Sequence, residues 1–178
     1  FNTPLGHADP NDSPEIYFDD MLRGGYGLND RRLVRVLADQ SVAAFDELVA
    51  LGIPFARDGE RYRQRHLSGN TYPRAVFIPE GIGAALLDHL DERLAELGAR
   101  VWSGWKVLDL LRDGDQVVGA LLAERHAGRL LAVRARSVVI AMGGIGQLYE
   151  DSTYPADVAA DAYALAYDAG ARLIDMEF

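Results

Sequence analysis

The sequence predicts an α/β chain of doubly wound layout with an inserted antiparallel β-meander at about residues 105 to 134. Three observations carry that prediction. Apolar residues recur at helical spacing through the first half, and the period drops to two from Ala99 onward. A wholly apolar run, Val138 to Ala141, then ends in a glycine cluster ahead of a small-residue helix.

In chain order, "DSPEIYFDDMLRGG" reads as a short helix. Asp12 or Ser13 is its N-cap, Pro14 its first residue, Glu15 lies in the first turn, and Gly24 and Gly25 follow its end. Asn29 or Asp30 caps a longer helix whose apolar stripe is Val34, Leu37, Ala38, Ser41, Phe45, Leu48 and Val49, and Gly52 stops it. "GIPFARDGERYRQRHLSGNTYPRAVFIPEG" carries five arginines, prolines and the pair Asp58–Gly59, which predict a loop with a short hairpin. A helix from about Ile82 to Leu97 follows, striped by Ile82, Leu86, Leu90, Leu94 and Leu97, with Gly98 at C′.

From Ala99 the chain holds short strand-like runs, turned at Asp113–Gly114 and Ala127–Gly128. The meander sits between a helix-preceded strand and "SVVIA", which reads as a parallel strand covered on both faces. A helix is expected from Val158 to Ala169, ended by Gly170.

The totals narrow the function. At 178 residues, 49% apolar and 25% charged, the chain has the balance of a globular domain. A net charge of −9, from 27 acidic and 18 basic residues, argues against a phosphate backbone as partner, so no nucleic acid is expected. Lys106 is the single lysine, which argues against an anionic membrane surface, and no apolar run reaches the ~18 residues of a membrane span. The absence of cysteine excludes disulfides, thiolate metal sites and Cys nucleophiles within these residues, and fits a cytoplasmic location. "FNTPLGHADP" is neither a translation start nor a secretory signal, and the chain reads as a piece of a longer protein.

The glycine cluster after the apolar run has two readings. Gly143, Gly144 and Gly146 can serve a tight turn, or they can leave backbone bare for the close approach of a flat ligand. A dinucleotide fingerprint fits poorly. Gly144 and Gly146 supply the first two glycines of G-x-G-x-x-G, but Tyr149 stands at the third and no periodic helix follows at once.

Taken together, "MLRGG", "LVRVLADQSVAAFDELVALGIPF", "GNTYPRAVF", "GIGAALLDHLDERLAELGARV", "VLDLLRDGDQVVGA", "VVIAMGGIGQLY" and "AYDAGARLIDMEF" resemble, in this order, the flavoprotein subunits of fumarate reductase and succinate dehydrogenase. L-aspartate oxidase belongs to the same family. The resemblance covers essentially the whole chain, and "GARLIDMEF" is its most specific part. It implies the middle of an FAD-binding domain of Rossmann-like, glutathione-reductase type, entered just after the first βαβ unit and ending where a substrate-capping domain begins.

The resemblance also implies roles. "AMGGIGQLY" is similar to the family's Ala-Thr-Gly-Gly-x-Gly-x-x-Tyr turn, placing the backbone of Ala141, Gly143 and Gly144 against the flavin, with Met142 where the family has Thr. Val107, in "WKVLDLL", matches the residue whose backbone meets the adenine. "VAADAYALA" resembles Thr-Gly-Asp-Gly-x-x-x-Ala, retaining Asp161 and replacing both glycines by Ala160 and Ala162. In "RHLSGNTYPR", matching the loop that faces substrate in the family, Leu67 and Ser68 stand for Phe-Gly.

The implied activity is hydride transfer between FAD and a dicarboxylate. The resemblance admits an iron–sulfur electron-transfer protein as partner, and peripheral attachment to the cytoplasmic face of a membrane through other subunits. The implied substrate-clamping Arg and His residues lie after residue 178 and the nucleotide fingerprint before residue 1. No catalytic residue is therefore named, and the chain alone is expected to be inactive and to bind FAD weakly or not at all. Two alternatives stay open: an L-aspartate oxidase-like flavoenzyme, and a degenerate module kept for subunit contacts, motivated by Met142, Ala160 and Ala162.

Other residues point less sharply. His7, His66, His89 and His126 are scattered singly, without the i, i+4 pair of a metal-binding helix, so no metal site is assigned. Asp113–Gly114–Asp115 is explained by a turn rather than a calcium loop, and Asp19 and Asp20 point apart on their helix. Arg57, Arg61, Arg63 and Arg65 either steer an anionic substrate or form a solvated loop. Tyr62, Tyr72 and Trp102 are core or subunit-contact aromatics.

Overall fold

The computed structural model describes residues 1–156 and 158–176 and divides into two compact units, the first Phe1–Arg100 and the second from Val101 onward. Glu177 and Phe178, which close the "GARLIDMEF" stretch, lie outside the described residues.

The first unit opens with helices α1 (Pro14–Gly24) and α2 (Arg31–Ala50). Ser13 caps α1, its hydroxyl accepting from the Ile16 amide at 3.3 Å, and Asp30 caps α2 through the Arg32 amide at 2.8 Å. The two helices bury Tyr17, Phe18, Val34 and Ala38 between them. Further along α2 the stripe reaches a second cluster of Phe45, Ile53, Phe55, Val76 and Ile78, with Leu48 and Val49 at its margin. Leu37 departs from the expected stripe and is half exposed, because α1 covers only the Val34–Ala38–Ser41 side of α2.

Gly52, at φ +89°, turns the chain out of α2. The arginine-rich stretch forms a hairpin of β1 (Arg57–Asp58) and β2 (Arg61–Tyr62), then β3 (Gln64–Arg65) pairs antiparallel with β4 (Ala75–Val76). Helix α3 (Ile82–Glu96) touches the core with Ile82, Ala85 and Leu86, leaving Leu90, Leu94 and Leu97 of its stripe exposed.

A buried ion network joins α1 and the residue before its cap to the segment that leads into β4. Arg74 is fully buried. Its Nε donates to both Asp12 oxygens (3.0 and 2.9 Å), Nη2 to Asp12 Oδ1 (2.6 Å) and Nη1 to Asp20 Oδ2 (2.5 Å). Asp20 also accepts from the Thr71 amide (2.7 Å) and hydroxyl (2.6 Å), and pairs with Arg23. Burial pushes the Asp20 carboxyl up, but the Thr71 and Arg74 hydrogen bonds and the Arg74 charge outweigh it and hold the carboxyl at about 2. Asp19, its neighbour, is exposed.

The second unit is built on a three-stranded antiparallel sheet in chain order: β5 (Trp105–Asp113), β6 (Gln116–Glu124) and β7 (Leu130–Arg134). Asp113 pairs with Gln116 around Gly114, whose φ of +58° suits a two-residue hairpin turn. Helix α4 (Asp161–Asp168) contacts β5.

Two expectations need correction here. Residues 137–141 form no strand: Val138, Val139 and Ile140 are 36%, 87% and 39% exposed. Every strand pair among the described residues is antiparallel, and residues 99–102 are irregular as well. A parallel strand exists only through ladder bonds to its neighbours, and no described strand lies beside this run. Nor does α4 start at Val158. Ala160 sits in the left-handed region at φ +65°, which interrupts helical geometry until Asp161. No helix among the described residues is long and apolar enough to cross a membrane.

Candidate functional site

The glycine turn leaves the apolar run at Met142 and reverses at Gly143, whose φ of +82° is one that glycine adopts without strain. A β-carbon on Gly143 would meet nothing within 4 Å, so its backbone is bare on the outside. The open side is one wall of a cavity of about 380 Å³ formed by Ile140 to Gly143. The facing wall is Ala162, Tyr163 and Ala166 of α4, and the chain after that helix, Ala171 to Leu173, completes the lining. Ala162 and Ala166 lie one turn apart on the same helix face, so α4 offers methyl groups and leaves room. The volume falls within the roughly 300–1,000 Å³ of small-molecule sites.

The next two glycines have a different reason. A β-carbon on Gly146 would sit 2.4 Å from the Tyr154 ring, and one on Gly144 would sit 3.3 Å from it. Tyr154 therefore lies on the bare backbone of both, and its packing accounts for glycine at 146 without any ligand. Gly144 borders a second cavity of about 490 Å³, with Tyr149, Asp151, Thr153 and Asp175 among its polar lining. Tyr163 touches both cavities. After the turn the chain makes only a 3₁₀ turn, Gly146–Leu148.

Of the residues singled out by sequence, Ala141, Met142 and Gly143 thus share one cavity, and Gly144 faces another. Val107 lies in β5, paired with Leu122, just before a bulge. Asp161 is the first residue of α4, adjoining the cavity residue Ala162. The sequence reading missed Lys106. Its Nζ stands 3.2 Å from Asp161 Oδ2 and ties the start of α4 to β5 beside Val107. Its being the single lysine was the available signal.

In the first unit, His7 Nδ1 accepts from the Tyr62 amide at 2.9 Å, and the two rings stack. His89 Nδ1 donates to the Ala85 carbonyl at 2.8 Å. Tyr62 packs edge-on to Phe45 at the margin of the core, whereas Tyr72 is only partly buried. In the second unit, Trp102 is 46% exposed beside Trp105.

A family described as "FAD binding domain" matches residues 1–178. One subunit of the fumarate reductase (CoM/CoB) of Methanothermobacter marburgensis is 32% identical over 99% of this chain and 32% of its own length. L-aspartate oxidase of Streptomyces coelicolor is 34% identical over 94% of the chain and 30% of its own length. Among solved structures, Mycobacterium smegmatis Sdh1 in complex with UQ1 superposes with a TM-score of 0.91 at 30% identity, covering 99% of this chain and 32% of that one. E. coli quinol fumarate reductase FrdA gives 0.89 at 28%, covering 94% and 29%. The chain spans about a third of the length of the curated relatives it matches.

Proposed function

The chain belongs to the FAD-binding domain family, and from that membership we propose that it forms part of an FAD-dependent oxidoreductase passing a hydride between flavin and a dicarboxylate, as fumarate reductases and succinate dehydrogenases do. The observation that carries the reading is the cavity between Ile140–Gly143 and the Ala162–Ala166 face of α4. It fits a flat group on one test: the backbone at Gly143 is open, and the facing helix presents only small groups beside Tyr163.

FAD, when bound, supplies a ring that takes up or releases a hydride. The chain's own residues would bind and orient it. Ala141, Met142 and Gly143 would offer backbone to the ring, Ala162 and Ala166 would exclude water from it, and Gly144 would take part by its backbone, since Tyr154 lies against its Cα. Val107 and Asp161 complete the cofactor-binding set, with Lys106 holding Asp161 in place. No residue of the chain is assigned to proton transfer.

In this reading the three-stranded sheet is an insertion in a Rossmann-like domain. The first βαβ unit and the capping domain that binds the dicarboxylate belong to flanking sequence. An iron–sulfur subunit is the electron partner, and the protein works in the cytoplasm or at its membrane face. The identity to L-aspartate oxidase supports aspartate as the alternative substrate.

The test is an absorbance spectrum of the full-length protein reconstituted with FAD, followed by assays with succinate, fumarate and aspartate. Flavin bands that co-purify, with turnover of one of the three, are expected. A stable but colourless protein would replace this proposal with the degenerate-module reading.

A further inference from the structure

Strand alternation in the arginine-rich segment separates two sets of side chains. Tyr62 and Gln64 turn inward: Tyr62 packs on the core, and Gln64 donates to the Thr3 carbonyl at 2.8 Å. Arg61, Arg63 and Arg65 share the opposite, solvent-facing side and are all exposed. Gln64 is registered with Val76, so Arg63 stands across from Phe77 on that outer face. Both guanidiniums rest on this ring, the central carbon of Arg65 at 3.6 Å from its centroid and that of Arg63 at 5.5 Å.

We propose that Arg63 and Arg65, organised by Phe77, form a binding site for an oxyanion, either a carboxylate or a phosphate group. Two carbons that lie 3.6 and 5.5 Å from one point are within about 9 Å of each other. A charge-assisted N–H···O bond of 2.7–2.9 Å puts a guanidinium carbon roughly 4 Å from the central atom of its anion, so one group can bridge both arginines when they are no more than roughly 8 Å apart. No carboxylate of the described residues lies within 4 Å of either guanidinium, in a chain with 27 acidic residues. Arg61, next in the row, is registered across from Asp58 in the β1–β2 pair and differs in resting on no aromatic ring among the described residues. Two like charges held over one ring repel each other until an anion enters between them. The ring also restricts two long side chains in advance, which lowers the ordering cost of binding. This proposal does not depend on the flavin reading.

The test is ¹H–¹⁵N NMR of the arginine Nε–Hε groups during titration with inorganic phosphate and, separately, succinate, each against sodium chloride at matched ionic strength. Saturating shifts at Arg63 and Arg65 with a dissociation constant on the order of millimolar are expected, and the tighter of the two ligands identifies the anion's source. Arg65→Gln should weaken binding by about tenfold or more, since it removes a charge-assisted pair. Phe77→Leu keeps both guanidiniums and should weaken it about threefold. Circular dichroism checks that each variant folds. Shifts reproduced by sodium chloride, or an affinity unchanged in Arg65→Gln, would overturn the site; an affinity unchanged in Phe77→Leu would overturn the organising role of the ring.

Discussion

Replacing Asp20 by Asn tests the buried network most directly. Asp20 is 4% exposed and receives Arg74 Nη1, the Thr71 amide and the Thr71 hydroxyl, while Arg74 itself has no exposed surface. An Asn side chain keeps the volume, removes the charge and turns one acceptor into a donor facing other donors. Breaking one side of a buried pair costs about 3–5 kcal/mol, a large part of the roughly 5–15 kcal/mol that holds a domain together. Urea unfolding followed by far-UV circular dichroism, on wild type and Asp20→Asn, measures that loss. A loss below about 1 kcal/mol, the size of an exposed ion pair, would refute the argument.

The same residue has a pH signature. Its carboxyl is held at about 2 against an ordinary 3.8, so its contribution is complete above about pH 4 and disappears as pH falls through about 2. The difference corresponds to about 2 kcal/mol, and Asp20→Asn should abolish that part of the acid sensitivity.

Three more outcomes are expected. Ala160→Gly, at φ +65°, should raise the stability of the second unit by about 1 kcal/mol in thermal unfolding, since only the alanine is strained there; no gain would show that the strained geometry is not adopted. Gly146→Ala should cost about 1–3 kcal/mol because its β-carbon meets the base of the Tyr154 side chain, and Tyr154→Ala should restore most of the loss in a double-mutant cycle. Phe45→Ala, which empties the centre of the cluster formed with Ile53, Phe55, Val76 and Ile78, should cost about 3–5 kcal/mol in the same unfolding assay, and a smaller loss would mean that the cluster collapses around the gap.

Helix ends were the most legible feature of the chain, because their signals are local. Ser13 and Asp30 each cap the helix they precede, and Gly114 marks the β5–β6 turn, since a cap or a tight turn is decided within four residues. Membership of an FAD-binding family was legible for another reason, as seven short stretches in fixed order are a longer signal than any one motif. Partners distant in sequence left no such mark. Arg74 is one of five arginines in its segment, and Asp12, its partner, is 62 residues away. The apolar run at 138–141 said that these side chains favour burial but not what would bury them. Gly144 and Gly146 looked like one ligand surface with Gly143, and only the position of Tyr154 separates them.

That uncovered run has a practical consequence for handling the polypeptide. Val138 to Ile140 offer β-branched side chains together with amides and carbonyls engaged in no ladder, much as the rim of an unfinished sheet does. A second molecule can add a strand there, and the expected outcome is self-association that rises with protein concentration. Light scattering across a dilution series would expose this, and a charged residue in place of Val139 is the simplest way to suppress it.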